Sequence, residues 1–342
     1  MEMIEVKNLV KEYRRKSGKA PGNMPPIPPG MMSPPAVPES ERPDAGSRMV
    51  HIKAVDDISF SIDEGEMVGY IGANGAGKST TIKMLTGILT PSSGTINVNG
   101  LIPYRQRKKN AKKIGVVFGQ RTQLWWDLPV IDSYRLLRHI YDLPVKEFRE
   151  NLELFQEVLE MREFMYAPVR QLSLGQRMRA DIAASLLHNP RILYLDEPTI
   201  GLDPYAKEKM RNFIRMANKE RKITVILTTH DMSDIEDLCK RVMIIEKGKL
   251  VYDNSLDQMK KDLGNEKILK IEFSNSDITV PPGLRVTKED GNTKWFSYRK
   301  DCENASEIIS LLCDKNEIVD LSVNDASVES IVRRIYKSGV AG

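Results

Sequence analysis

The sequence predicts an α/β protein with a mainly parallel core sheet and a small α+β unit appended near its C-terminal end. Three observations carry this reading. Short apolar runs, MVGYIG at 67–72, ILYL at 192–195 and ITVIL at 223–227, alternate with stretches of helical periodicity. Runs of this kind, each leading into a polar motif, are typical of strands covered on both faces. From about Glu266 the pattern changes to ILKIEF, LRV and KWFSY, which read as antiparallel strands, the last two joined across Asp290-Gly291-Asn292.

Taken in order, residues 1 to about 15 form a strand with apolar positions Ile4, Val6 and Leu9. A segment from about Lys16 to Arg48 follows, holding nine of the 19 prolines between Pro21 and Pro43. It cannot build a core. Because strand pattern resumes at His51–Ile62, the segment is expected to be an insertion inside a domain. Its PPIPP run is either a polyproline ligand or a tolerated surface loop.

A helix is expected over Ser79–Leu85, stopped at Gly87. Hairpin-like runs at Thr95–Val98 and Ile114–Phe118 bracket a basic stretch, Arg105, Arg107, Lys108, Lys109, Lys112 and Lys113. That stretch reads as a solvated helix face or an anion-binding patch. Residues of about 131–166 have helical spacing. In the last unit Asn304 and Glu307 resemble a capping box for a helix to about Asp314, EIVDLSV reads as a strand and SVESIVRRIY as a final helix.

Composition removes several function classes. The 342 residues carry a formal charge of +4, too small a bias for a mainly electrostatic nucleic-acid binder. No apolar run reaches the roughly 18 to 20 residues that cross a bilayer, so work at a membrane would need a partner. Three cysteines, Cys239, Cys302 and Cys313, make no paired framework, and four histidines show no ligand spacing.

Gly72-Ala73-Asn74-Gly75-Ala76-Gly77-Lys78-Ser79-Thr80 matches GxxxxGK[ST] between a buried strand and a helix. Glycines let the backbone wrap an anion, and successive N–H groups with the helix N-terminus supply positive potential. Lys78 is expected to reach the β- and γ-phosphates of a nucleotide and the Ser79 hydroxyl to ligate Mg²⁺. Asp196-Glu197 leaves the end of the strand 192–195, where open α/β sheets place ligands. Asp196 suits Mg²⁺ held through water, and Glu197 suits polarising an attacking water.

With these residues the chain resembles the ATP-binding cassette (ABC) family over about residues 1 to 250. Leu172-Ser173-Leu174-Gly175-Gln176 is similar to the signature LSGGQ, with Leu174 in place of the first glycine. The resemblance implies that Ser173, Gly175 and Gln176 cover the ATP bound to a second copy, giving a head-to-tail dimer with two nucleotides at its interface. It further implies that Gln120 is the Q-loop glutamine sensing Mg²⁺ and water. His230 becomes the switch histidine on γ-phosphate, Asp203 of Thr199–Asp203 a residue at the dimer seam, and Tyr13 the aromatic that stacks on adenine.

VVFGQRTQLWWDLPV, VRQLSLGQRMRADIAASLLHNP and EPTIGLD resemble bacterial export-type ATPases whose polytopic membrane subunits are separate polypeptides. The implied organisation is a nucleotide-binding cassette at 1–250 with a helical subdomain at about 121–175, a connector at 251–265 and an accessory α+β domain at 266–342. The implied activity is ATP hydrolysis coupled to transport, in a homodimer or with a closely related second cassette, peripheral on the cytoplasmic face of the cell membrane. Trp125 and Trp126 either pack inside the helical subdomain or line a groove for a membrane subunit. The alternative is a soluble ABC ATPase acting on ribosomes or DNA. Against it stand the single cassette, the lack of heptads and the low net charge.

Overall fold

The computed structural model describes residues 2–16, 49–119, 121–264, 266–275, 278–280, 284–299, 305–314, 316–325 and 327–338. Most of the Pro-rich segment, Gln120, Cys302 and the capping-box residue Asn304 lie outside them.

The chain opens with β1 (Glu2–Lys16) and β2 (Met49–Asp63), an antiparallel pair whose far ends, Lys16 and Met49, are register partners. The inserted segment therefore leaves and re-enters the fold at one point. Next come β3 (Met67–Gly72), α1 (Lys78–Leu85), β4 (Ser93–Val98), α2 (Arg107–Ala111) and β5 (Ile114–Phe118). The hairpin expected of the last two strands does not form. β4 pairs antiparallel with β1, and β5 pairs parallel with β6 (Ile192–Asp196). The basic stretch around α2 is exposed, as a solvated face would be.

The helical region divides into α3 (Val130–Ile140) and α4 (Val145–Val158): Asp142, with φ +54°, turns the chain out of the first helix, and Pro144 stands just before the second. α5 (Leu174–Leu186) precedes β6, and α6 (Pro204–Arg221), β7 (Thr224–Thr228), α7 (Met232–Leu238), β8 (Arg241–Glu246), β9 (Lys249–Ser255) and α8 (Leu256–Leu263) follow it. The core sheet has the order β5-β6-β7-β3-β8-β9, parallel except for its last pair.

Period-two alternation splits the core. Val68, Tyr70 and Ile226 face the layer of β1, β2, β4 and α1, whereas Ile71, Val225 and Leu227 face the helices. The strands β6, β7 and β3 lie side by side and run the same way, so the loops leaving them emerge along one edge.

The C-terminal unit contains β10 (Glu266–Phe273), β11 (Arg285–Asp290), β12 (Thr293–Arg299), α9 (Ala305–Cys313), β13 (Ile318–Asp325) and α10 (Val328–Ser338). Its antiparallel sheet, β11-β12-β10-β13, packs Leu269, Ile271, Phe273 and Phe296 against Ile308 and Leu312 of α9. The turn at Asp290-Gly291-Asn292 joins β11 to β12 as expected. α10 behaves differently: Val328, Ile331, Val332 and Ile335 join the apolar cluster of the first unit, beside α7 and α8. Sequence spacing assigned this helix to the accessory unit, but its buried stripe packs on the larger one. No helix among the described residues is long and apolar enough to cross a membrane.

Candidate functional site

β3 delivers Gly72 and the loop 73–77, and α1 starts at Lys78. Gly77 has φ +117°, which L side chains rarely adopt, and a Cβ there would lie 2.5 Å from the Ala54 carbonyl oxygen. At Gly72 a Cβ would lie 2.4 Å from the Ile245 oxygen. The loop therefore passes close to β2 and β8 with no room for side chains at these two points.

Lys78 is buried, and its ammonium donates to the Gly72 oxygen at 2.5 Å and the Ala73 oxygen at 3.2 Å. Burial lowers its pKa, and the nearby carboxylates of Glu197 and Asp196 partly restore it. With the amine turned onto its own loop, the positive charge is stored where an anion would enter.

Asp196 ends β6 and is gripped from both sides. The Thr228 hydroxyl, on the neighbouring β7, donates to Oδ1 at 2.5 Å, and the Ser79 hydroxyl donates to Oδ2 at 3.2 Å. The parallel register that places Asp196 beside Thr228 fixes this contact. Glu197 follows with φ +59°, a left-handed conformation that costs a non-glycine residue about 1–2 kcal/mol and turns its side chain out of the strand line. Burial raises the Glu197 pKa, and the charges of His230 and Lys78 pull it back. His230 Nε2 lies 2.8 Å from Glu197 Oε1.

Tyr13, 40% exposed, shares a cleft of about 790 Å³ with Asn74, Ser79, Asp196, Glu197 and His230. A connected hollow of about 240 Å³ is lined by Gly75, Gly77, Lys78, Ser79 and Thr80. The expected residues Tyr13, Gly72–Thr80, Asp196, Glu197 and His230 thus come together in one chain. Gln120 lies outside the described residues.

The signature residues do not line that cleft. Ser173 caps α5 in a reciprocal box: its hydroxyl accepts from the Gln176 N–H at 3.2 Å, and Gln176 Oε1 accepts from the Ser173 N–H at 2.9 Å. Gly175 and Leu174 of this turn lie against the loop 199–203, near Leu202 and Gly201. Asp203 caps α6, accepting from the Ala206 N–H at 2.9 Å.

Trp125 and Trp126 are 40% and 48% exposed, which excludes packing inside the helical subdomain. The Arg177 guanidinium lies 5.6 Å from the Trp126 ring centre.

Two polar clusters escaped the sequence reading. Asp181 of α5 accepts from the Thr122 hydroxyl at 2.8 Å and from the Gln123 N–H at 3.0 Å, and burial pushes its carboxyl up to about 6. Asp234 of α7 is fully buried and accepts from Thr199, Thr229 and Arg211. For Asp181 the available signal was an acidic residue among the apolar positions of α5, whereas Asp234 is one of four acidic residues between 231 and 237 and nothing in the sequence sets it apart.

Residues 55–200 match the family model described as ABC transporter. The chain is 34% identical over 223 residues to the ABC transporter ATP-binding protein NatA of Bacillus subtilis, covering 65% of this chain and 90% of that protein. It is 35% identical over 231 residues to the bacitracin transport ATP-binding protein BcrA of Bacillus licheniformis, covering 67% and 72%. Among solved structures, a dimeric post-hydrolysis state of the ATP-binding cassette MJ0796 bound to ADP and Pi matches with TM-score 0.58 and 25% identity, over 74% of this chain and 99% of that one. A phosphate loop facing an acidic strand end and a histidine, in a chain that matches nearly the whole of NatA, leads to one assignment: the protein belongs to the ABC transporter family as an ATP-binding, ATP-hydrolysing subunit.

Proposed function

We propose that this chain powers an exporter whose membrane-spanning subunits are separate polypeptides, and that it works as a head-to-tail pair of cassettes. The observation that carries the catalytic part is the 2.8 Å contact between Glu197 and His230 at the mouth of the phosphate-loop cleft.

Glu197 takes the proton of the water that attacks the γ-phosphate, since burial holds its carboxylate at a raised basicity. His230 holds Glu197 in place and meets the γ-phosphate. Lys78 swings from its loop carbonyls to the phosphate oxygens, and the partner's Ser173 end of α5 covers the nucleotide from the other side. Tyr13 supports the adenine ring, and Asp203 lies at the seam.

The Ser79 and Asp196 oxygens, 3.2 Å apart, are hard donors suited to Mg²⁺. No group of three or more His, Cys, Asp or Glu that could hold a metal occurs among the described residues. A magnesium site here would draw its other ligands from phosphate and water, with Gln120 completing it. When bound, the ion neutralises charge on the β- and γ-phosphate oxygens.

The exposed Trp125–Trp126 pair is the point where a membrane subunit docks, with the chain peripheral to the cytoplasmic face of the cell membrane. Replacing Glu197 by Gln tests the core of this reading: ATP binding should persist, an ATP-dependent dimer should accumulate and hydrolysis should cease. A normal hydrolysis rate would remove Glu197 from its role. For the transport part, a tagged chain extracted in detergent should bring a polytopic protein with it, and should lose it when Trp125 and Trp126 are both replaced by Ala.

A further inference from the structure

Thr199 lies in the loop 199–203 that follows Glu197, and Thr229 lies next to His230. Both hydroxyls donate to one oxygen, Asp234 Oδ2, at 2.5 Å and 3.4 Å. All three residues are almost completely buried. The second oxygen, Oδ1, accepts from Arg211 of α6 at 3.3 Å, and Arg211 also pairs with Asp237 at 2.9 Å. Asp234 is thus anchored by two helices, and its Oδ2 joins two loops that carry different parts of the site.

The geometry points to Asp234 as a positioning residue that clamps the loop bearing Asp203 to the loop bearing His230, so that the two loops move as one. This rests on the proposed roles of Glu197 and His230. No direct polar contact to either residue is made by Asp234; it acts on them through the backbone. Thr229 is one residue before His230, and Thr199 is two after Glu197. A partner cassette that presses on the loop 199–203 would therefore displace the histidine and the carboxylate together.

A buried carboxylate accepting two hydroxyls and a guanidinium is costly to assemble and is destabilising when one donor is lost. The two threonine bonds add a fixed relation between loops that belong to adjacent strands, β6 and β7.

Thr199→Val and Thr229→Val each delete one hydroxyl at nearly constant volume. In the full chain each should lower the kcat of ATP hydrolysis about tenfold with ATP affinity within twofold, and the melting temperature should fall by several degrees because a buried carboxylate loses a donor. Thr199→Ser should restore most of the rate. The double variant should lose less than the product of the single losses, because both hydroxyls serve one oxygen. An unchanged kcat in Thr199→Val would overturn the clamp. So would a loss of rate that Ser does not rescue, or one accompanied by an equal loss of ATP affinity. Glu197→Gln is the control: if it alone abolishes hydrolysis while Thr199→Val has no effect, the clamp fails and the site reading stands. If Glu197→Gln keeps full activity, the site reading itself fails.

Discussion

His230 Nε2 and Glu197 Oε1 meet at 2.8 Å across the ends of two parallel strands, with the histidine side chain half exposed and the glutamate largely covered. The register Asp196–Thr228 sets this pair: each residue sits just beyond a fixed rung, and the left-handed turn at Glu197 brings its carboxylate back toward the histidine. Removing the imidazole takes away a charge that lowers the Glu197 pKa, so His230→Ala leaves burial less opposed. The expected outcome is a loss of roughly 10²-fold in kcat, within the usual range for general acid–base groups. The acid limb of the remaining pH–rate profile should move to higher pH. Steady-state ATPase assays from pH 5 to 9 check both, and an acid limb that stays put would contradict the coupling.

Gly77→Ala places a methyl group 2.5 Å from the Ala54 oxygen at a residue with φ +117°. Retreat of β2 would strain the 2.8 Å bond from the Asp56 N–H to the Gly248 oxygen, and retreat of the loop would strain the 2.9 Å bond from the Gly248 N–H to the Ala76 oxygen. A cost of about 1–3 kcal/mol in stability is expected from the backbone conformation alone. Nucleotide affinity should fall at least tenfold, since the loop N–H groups would no longer converge. Thermal unfolding and equilibrium nucleotide binding measure the two effects. Unchanged affinity would mean that the loop tolerates displacement.

The parts of this site that were legible in the sequence are those whose geometry is local. Gly72–Ser79 needs only a strand, a turn and a helix in succession, and the Ser173–Gln176 cap closes within one turn. Asp196-Glu197 and His230 could be placed because each ends a short apolar run. The pairing of strands was not legible: β4 and β5 look alike as apolar runs, yet one joins an antiparallel layer and the other the parallel sheet, and nothing in their periodicity names the partner. Thr199, Thr229 and Asp234 were missed for a related reason, since a buried hydroxyl and a distant carboxylate meet only after three elements pack. The final helix shows the same limit, because its amphipathic stripe identifies a buried face without saying what covers it.

Asp181 supplies a pH-dependent prediction. Its carboxyl, normally near 3.8, is pushed up to about 6 by burial, which outweighs the opposing hydrogen bonds from Thr122 and Gln123 and the charge of Arg177. Tyr134 is the facing group on α3, and its hydroxyl donates to the Ala180 oxygen at 2.8 Å. A folded-state pKa above the unfolded one means that ionisation opposes folding. The group's contribution is fully present below about pH 4 and is lost as pH rises through about 6. Roughly two pH units correspond to on the order of 3 kcal/mol. Asp181→Asn should therefore be more stable than the parent at pH 8, with the gap closing between pH 6 and 4. Denaturant unfolding at a series of pH values tests this; a gap independent of pH would show that the carboxyl is not titrating in this range.

Ile331 lies on α10, in the C-terminal segment, but is buried in the cluster that contains Ile235 and Leu238 of α7. α7 begins two residues after His230, so the last helix buttresses the element that carries the switch loop. Ile331→Ala should cost about 2–4 kcal/mol through lost burial and a residual cavity. If α10 is part of the first unit's core, that loss must appear in the transition that ATP stabilises, because ligand binding raises the melting temperature only of the unit it binds. Calorimetry with and without ATP, in the Glu197→Gln background to prevent turnover, separates the possibilities. A single ATP-shifted transition that moves down on substitution is expected. A separate ATP-insensitive transition that takes the whole loss, while the shifted one stays in place, would detach α10 from the nucleotide-binding unit and return it to the accessory sheet.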